Sequence, residues 1–194
     1  IIYFIRKVMK TNKIIYLVII VAIMFGFLSC STIPEGAVAV KPFYKEKYLG
    51  KWYEIARIDF KYEKDLDNTT AEYSMNDNGT IKVDNRGYDT LKGEWVQAIG
   101  KAKFVDDENV GMLKVSFFGP FYGWYNVIAI DDEYKYSLVA GQSLKYLWIL
   151  SRETTIAEDI KNNYLKIAQG IGYNISDLSW IKHGRKRNWF FNLL

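Results

Sequence analysis

Apolar and polar residues alternate over short stretches along most of this chain, and glycine, asparagine and aspartate punctuate the stretches. Evenly spaced alternating runs bounded by turn residues predict an all-β sandwich or barrel. Trp52–Ile58 is the first run, followed by a loop over Asp59–Asn68. Thr70–Met75 and Thr80–Asn85 flank Asn76-Asp77-Asn78-Gly79, whose Asn-Gly pair supplies the positive φ of a tight hairpin. Gly93–Val105 is long, and Gly100 within it marks a bend or bulge. After a turn at Asp106–Asn109, Met112–Phe118 and Trp124–Ile130 flank Gly-Pro-Phe-Tyr-Gly. Lys135–Ala140 and Tyr146–Ser151 complete eight strands in up-and-down order. Eight is the number at which a closed barrel holds one small ligand, and closure removes exposed sheet edges.

The period changes after Ser151. Thr155-Ile156-Ala157-Glu158 reads as a capping box with Thr155 as N-cap. Ile156, Ile160, Tyr164, Ile167 and Ala168 then recur at helical spacing, giving a face to lay on the barrel wall. Gly170 and Gly172 end the helix, and Leu178–Lys182 reads as a last short strand.

The N-terminal pattern is of another kind. From Met9 the order is Lys10, Lys13, the apolar run Ile14–Leu28 and then Ser29-Cys30, the layout of a secretory signal. The run is short for a bilayer span, which needs about 20 residues. Cys30 is the sole cysteine and stands where bacterial lipoproteins carry their lipidated residue, so it is expected to bear the acyl (palmitate-type) groups. Each buried CH₂ of such a chain contributes about 0.8 kcal/mol to anchoring. The chain therefore divides into 1–8, read as translated sequence upstream of Met9; 9–29, lipoprotein signal peptide; 30–47, lipidated tether; 48–183, barrel plus helix; and 184–194, a basic and aromatic tail. The tail reads either as a membrane-surface or partner segment or as a disordered end, and its shortness and lack of period favour disorder.

Charge adds little. The net charge is +4, and part of it sits in the signal region and in Arg185-Lys186-Arg187. No basic stripe interleaves with stacking aromatics, so no nucleic-acid partner is expected. Zinc sites built on Cys and His are excluded by count, because Cys30 is at the lipidation position and His183 lies past the barrel. A nucleophile needs a base within reach, and the cavity offers neither cysteine nor histidine. The chain is read as no enzyme, with no metal and no cofactor.

Four ordered blocks carry a family resemblance: Tyr48-Leu49-Gly50-Lys51-Trp52-Tyr53-Glu54-Ile55-Ala56-Arg57, Lys114–Gly123, Tyr125–Asp131 and Tyr146-Leu147-Trp148-Ile149-Leu150-Ser151-Arg152. Here the chain resembles the lipocalins, above all the bacterial outer-membrane lipoprotein group and more distantly apolipoprotein D. The resemblance implies an eight-stranded antiparallel up-and-down barrel with one C-terminal α-helix packed outside. Gly50, Trp52 and Arg152 are then the structural closed end, with the guanidinium over the indole face.

Alternation sorts the remaining positions. With Trp52 inward, Glu54 and Ala56 share its side, and the resemblance places Glu72 inside as well. Ala98, Gly100, Ala102 and Phe104 form one set; Leu113, Val115 and Phe117 a second; Asn126, Ile128 and Ile130 a third. Small residues leave room and Phe104 and Phe117 supply apolar contact, the make-up of a small-molecule cavity. Phe60, Tyr62, Phe121, Tyr122 and Trp124, with Lys61 and Lys64, fall at the open rim. The reading is a membrane-anchored carrier of a fatty acid or lysophospholipid. The resemblance adds a role in envelope lipid storage, transport or maintenance. The alternatives are an envelope module with a filled barrel that binds a protein partner or a second copy of itself as a homodimer, and a weak enzyme working through Glu54 or Glu72.

Overall fold

The computed structural model describes residues 32–185; the signal segment, Cys30 and the tail beyond Arg185 lie outside them. Nine strands follow a one-turn helix α1 (Lys45–Tyr48): β1 (Gly50–Ile58), β2 (Leu66–Met75), β3 (Ile81–Asp89), β4 (Glu94–Phe104), β5 (Met112–Ser116), β6 (Gly123–Ile130), β7 (Tyr136–Ala140), β8 (Leu147–Ser151) and β9 (Leu178–Trp180). Each strand of the first eight pairs antiparallel with the next, and β1 pairs with both β2 and β8, so the sheet closes. β9 adds to the upper half of β1, from Ala56 opposite Trp180 to Ile58 opposite Leu178. The loops β1–β2, β3–β4, β5–β6 and β7–β8 surround the mouth; α1, Phe43 and Tyr134 belong to the other, closed end.

Two apolar clusters follow from the alternation. Tyr48, Trp52, Tyr73, Val83, Ala102, Leu113, Val127, Val139 and Leu150 fill the interior. Ile55, Leu138, Ala140, Leu147 and Ile149 face outward beneath helix α2 (Glu158–Ile171), which buries Tyr164 and Ala168 against them. The predicted capping box does not form. The N-cap is Ala157, without a side-chain bond, and the Thr155 carbonyl instead accepts from Ser151 Oγ at 2.8 Å. Gly170 lies inside the helix. Gly172 ends it with φ 107°, the left-handed conformation a glycine adopts without strain.

The segment read as a tether lies along the barrel from Thr32 onward. Asn126 Nδ2 donates to the Thr32 carbonyl at 2.9 Å and to the Ala140 and Gly141 carbonyls, beside the β7–β8 loop. Val40 N donates to Val127 O, and Phe43 N to Asn109 O at the closed end. Gly111 has to be small here, since a Cβ would stand 2.9 Å from Val40 Cγ2.

Candidate functional site

The closed end is built on one guanidinium. Arg152 lies over the Trp52 ring, 3.7 Å from its centroid, and donates to the carbonyls of Lys47, Tyr48, Leu49, Lys51 and Tyr134. Trp52 Nε1 donates to Tyr48 O at 2.8 Å, so the fully buried indole has its partner. Gly50 sits at φ 90°, and a Cβ there would meet Arg152 NH1 at 3.5 Å.

Above this floor three tyrosines meet inside the barrel. The Tyr125 hydroxyl bonds those of Tyr48 at 2.6 Å and Tyr73 at 2.9 Å, and Tyr48 also reaches Ser137 Oγ at 3.3 Å. Burial pushes Tyr48 up to about 12, so the cluster is neutral at ordinary pH. Beneath them, toward the closed end, a void lined by Phe43, Leu49, Ile81, Tyr48, Tyr73 and Tyr125 among others measures about 10 Å³. That is room for about one water molecule.

Nearer the mouth the interior turns polar. Arg57 NH1 donates to Glu54 Oε1 at 2.7 Å and Arg57 Nε to Asp59 Oδ1 at 2.7 Å. Its other nitrogen binds the carbonyls of Glu63 and Leu66, which pins the β1–β2 loop across part of the opening. Trp148 Nε1 donates to Glu63 Oε2 at 2.9 Å. Burial, and then the neighbouring Glu54, push the Glu63 carboxyl up to about 8; burial raises Glu54 as well, against the pull of Arg57. Asn85, on the inward side of β3 with Ile81 and Val83, has a buried Oδ1 without a hydrogen-bond partner among the described residues.

Among the residues expected to line a cavity, Glu54, Ala102, Phe104, Val115 and Phe117 do point inward. Four do not. A bulge in β1 pairs Glu54 with Leu150 but Ala56 with Ile149, so Ala56 turns out to the helix side and Arg57 takes its inward place. Asn126 and Ile128 face outward, because Tyr125 and Val127 hold the inward positions of β6. Glu72 is exposed on the outer face, its neighbours Ala71 and Tyr73 being inside. The space beside Gly100 is not free: a Cβ there would stand 2.7 Å from Phe117 Cδ1. An apolar hollow above the plugged end was expected; the lower interior is packed with side chains. Ala98, one alternation above Gly100, is exposed, so the barrel opens to solvent at the mouth.

At the rim, Phe60 lies edge-on to Tyr146 and Trp148, and Tyr62 reaches Phe118 at 6.3 Å. Tyr62 and Phe121 are exposed as expected rim residues. Tyr122 and Trp124 are on the outer wall: Lys103 and Lys114 flank the Tyr122 ring, and Trp124 sits opposite Lys114. Arg57, Glu63, Trp148 and the tyrosine trio escaped the sequence reading. The Arg-Tyr-Trp richness of these strands was the signal, but each residue alone reads as filler.

Residues 45–183 match the lipocalin-like domain. The chain is 46% identical over 160 residues to the outer membrane lipoprotein Blc of Escherichia coli, covering 81% of this chain and 90% of that protein. With the Blc of Vibrio cholerae it shares 42% over 171 residues, 88% and 98% of the two chains. Rat apolipoprotein D is 36% identical over 117 residues, 55% of this chain and 59% of that one. Among solved structures, insecticyanin from the tobacco hornworm superposes with TM-score 0.65 at 19% identity over 79% of this chain and 88% of that one, a likeness of fold. Barrel, closed end and these likenesses agree: the chain belongs to the lipocalins.

Proposed function

We propose that this lipocalin carries a fatty acid or lysophospholipid, held at the envelope by a lipid on Cys30. Its close relatives are named outer membrane lipoproteins, and its place is the outer membrane of a bacterial cell; the family is one of binding proteins rather than enzymes. The observation that carries the reading is the polarity gradient inside the barrel. Apolar side chains line the middle, while the polar groups Asn85, Glu54, Arg57 and Glu63 stand toward the mouth. An amphiphile entering tail first would meet matching surfaces at both ends. Burial of its acyl chain would supply about 0.8 kcal/mol per CH₂ before ordering costs. An acyl chain that reached the floor would have to displace side chains packed in the lower interior, Tyr125 and Phe117 among them.

The mature protein, extracted with organic solvent after purification, is expected to release acyl lipid identifiable by mass spectrometry and then to bind a fluorescent fatty acid displaceable by lysophospholipid. An empty extract together with no probe binding overturns the proposal. The second reading, a filled barrel that binds a protein or its own copy, is favoured by the side chains packed through the lower interior and would be left standing by that outcome.

A further inference from the structure

The four large apolar side chains of the rim, Tyr62 in β1–β2, Leu91 in β3–β4, and Phe118 and Phe121 in β5–β6, are 69%, 79%, 70% and 79% exposed. Apart from Val38, the other exposed apolar side chains are at most half exposed and sit singly on separate elements. An apolar set on three loops at one end, with Tyr62 and Phe118 6.3 Å apart, is not the ordinary scatter of single exposed side chains. Lys61, Lys64, Lys92 and Lys145 stand on the mouth loops with them. Opposing them, Asp59 is tied to Arg57 and Ser179, Glu63 turns inward to Trp148, and Asp89 is paired with Lys92; Asp65 and Glu94 stay exposed.

Both ends of the described chain leave near this mouth. Thr32 is tied by Asn126 beside the Ala140–Gly141 end of β7, and Cys30 is two residues upstream in the sequence. Two residues span at most about 7 Å. Arg185 donates its N–H to Asn68 and lays its guanidinium over Tyr88, both in the mouth halves of β2 and β3. After it the sequence continues Lys-Arg-Asn-Trp-Phe-Phe-Asn-Leu-Leu, bases followed by aromatics. Aromatics with neighbouring lysines are the side chains that settle at the headgroup level of a bilayer.

We propose that the open rim is a membrane-docking surface. The barrel stands mouth-down on the leaflet that holds its Cys30 lipid, with Tyr62, Leu91, Phe118 and Phe121 among the headgroups. The mouth then opens into the leaflet, and an amphiphile can exchange without crossing water. The orientation rests on the lipoprotein reading of Cys30, but its test is separate from that of ligand binding.

The lipidated full-length protein is reconstituted in phosphatidylethanolamine–phosphatidylglycerol vesicles, with a nitroxide on Leu91→Cys, Phe121→Cys or, at the closed-end turn, Asn78→Cys. The acylated Cys30 does not take the label. The ratio of oxygen to nickel-chelate accessibility is expected to be several-fold higher at Leu91→Cys and Phe121→Cys than at Asn78→Cys. Replacing Tyr62 and Phe118 with serine should shift the Leu91→Cys label toward water while the protein stays bound by its lipid. Equal ratios at all three sites, or a deeper Asn78→Cys, overturn the proposal. Mass spectrometry of the N-terminus and probe displacement on the same samples report separately whether the anchor and the carrier reading hold.

Discussion

Arg152 shows how much one side chain can do at a barrel's closed end. Its planar fork reaches five carbonyls of α1, β1 and the β6–β7 turn while its face covers Trp52. Hydrogen bonds from a charged donor are worth about 1.5–3 kcal/mol each, and leaving carbonyls unpaired adds a further cost. Arg152→Ala is expected to lower stability by roughly 3 kcal/mol or more in urea unfolding. Arg152→Lys should recover less than half of it, since an ammonium neither forks nor stacks. Equal stability of the lysine variant and the native protein would show that charge alone matters. Gly100 is a second single-residue case. An added Cβ would stand 2.7 Å from Phe117 Cδ1 and 2.8 Å from the Ser116 carbonyl, and the carbonyl cannot rotate away. Gly100→Ala should cost about 1–3 kcal/mol, the usual penalty of overpacking, read from the same denaturation midpoint.

At the scale of the element, strand positions were legible because period-two alternation and turn residues do not depend on distant contacts. The register within a strand was not. The bulge between Glu54 and Ala56 moves one residue out of phase, and a second between Val127 and Ala129 returns Ile130 to the interior of β6 after Ile128 has faced out. Bulges are set by how the closing sheet twists, which alternation cannot contain. The helix start was missed for a related reason: Ser151 competes for the Thr155 backbone. The β1–β2 loop was legible only as a loop. Its fixing depends on Arg57, and its chemistry on Glu63. The carboxyl of Glu63 is raised from 4.5 to about 8 by burial and by Glu54, so between these values the folded protein holds a proton that the unfolded chain has released. Stability therefore falls as pH climbs from about 4.5 to about 8, and the full cost is present above 8. Glu54, also raised, works in the same direction. The loop can release the strain by opening locally, which caps the global effect. Glu63→Gln keeps an acceptor for Trp148 and removes the titration. The variant is expected to gain stability over the native protein as pH rises through this window. Native tryptophan emission should shift toward that of the solvent-exposed ring near pH 8, and the variant's should not. Identical pH profiles would mean that Glu63 is ionised in place.

For the whole molecule the question is how a barrel whose lower interior is packed with side chains takes up a ligand. The sequence supplied the count of strands, the closed end and the aromatic mouth. It could not show that Phe117 fills the gap left by Gly100, or that Tyr48 of α1 meets Tyr73 of β2 and Tyr125 of β6 inside the barrel. If the interior is a binding site, the native state spends part of the binding energy on moving these side chains, and a variant that starts with the space open binds tighter. Phe117→Ala is that variant. It should destabilise the empty protein by roughly 3 kcal/mol through lost burial and the cavity left behind. The same change should strengthen the binding of a fluorescent fatty acid, and saturating probe should return part of the lost stability, because a ligand that binds only the folded state stabilises it by mass action. A filled interaction module predicts the first effect without the other two. Unfolding midpoints of both proteins, with and without probe, separate the cases: a stability loss that no probe concentration restores would place the interior among structural cores and leave the rim as the working surface.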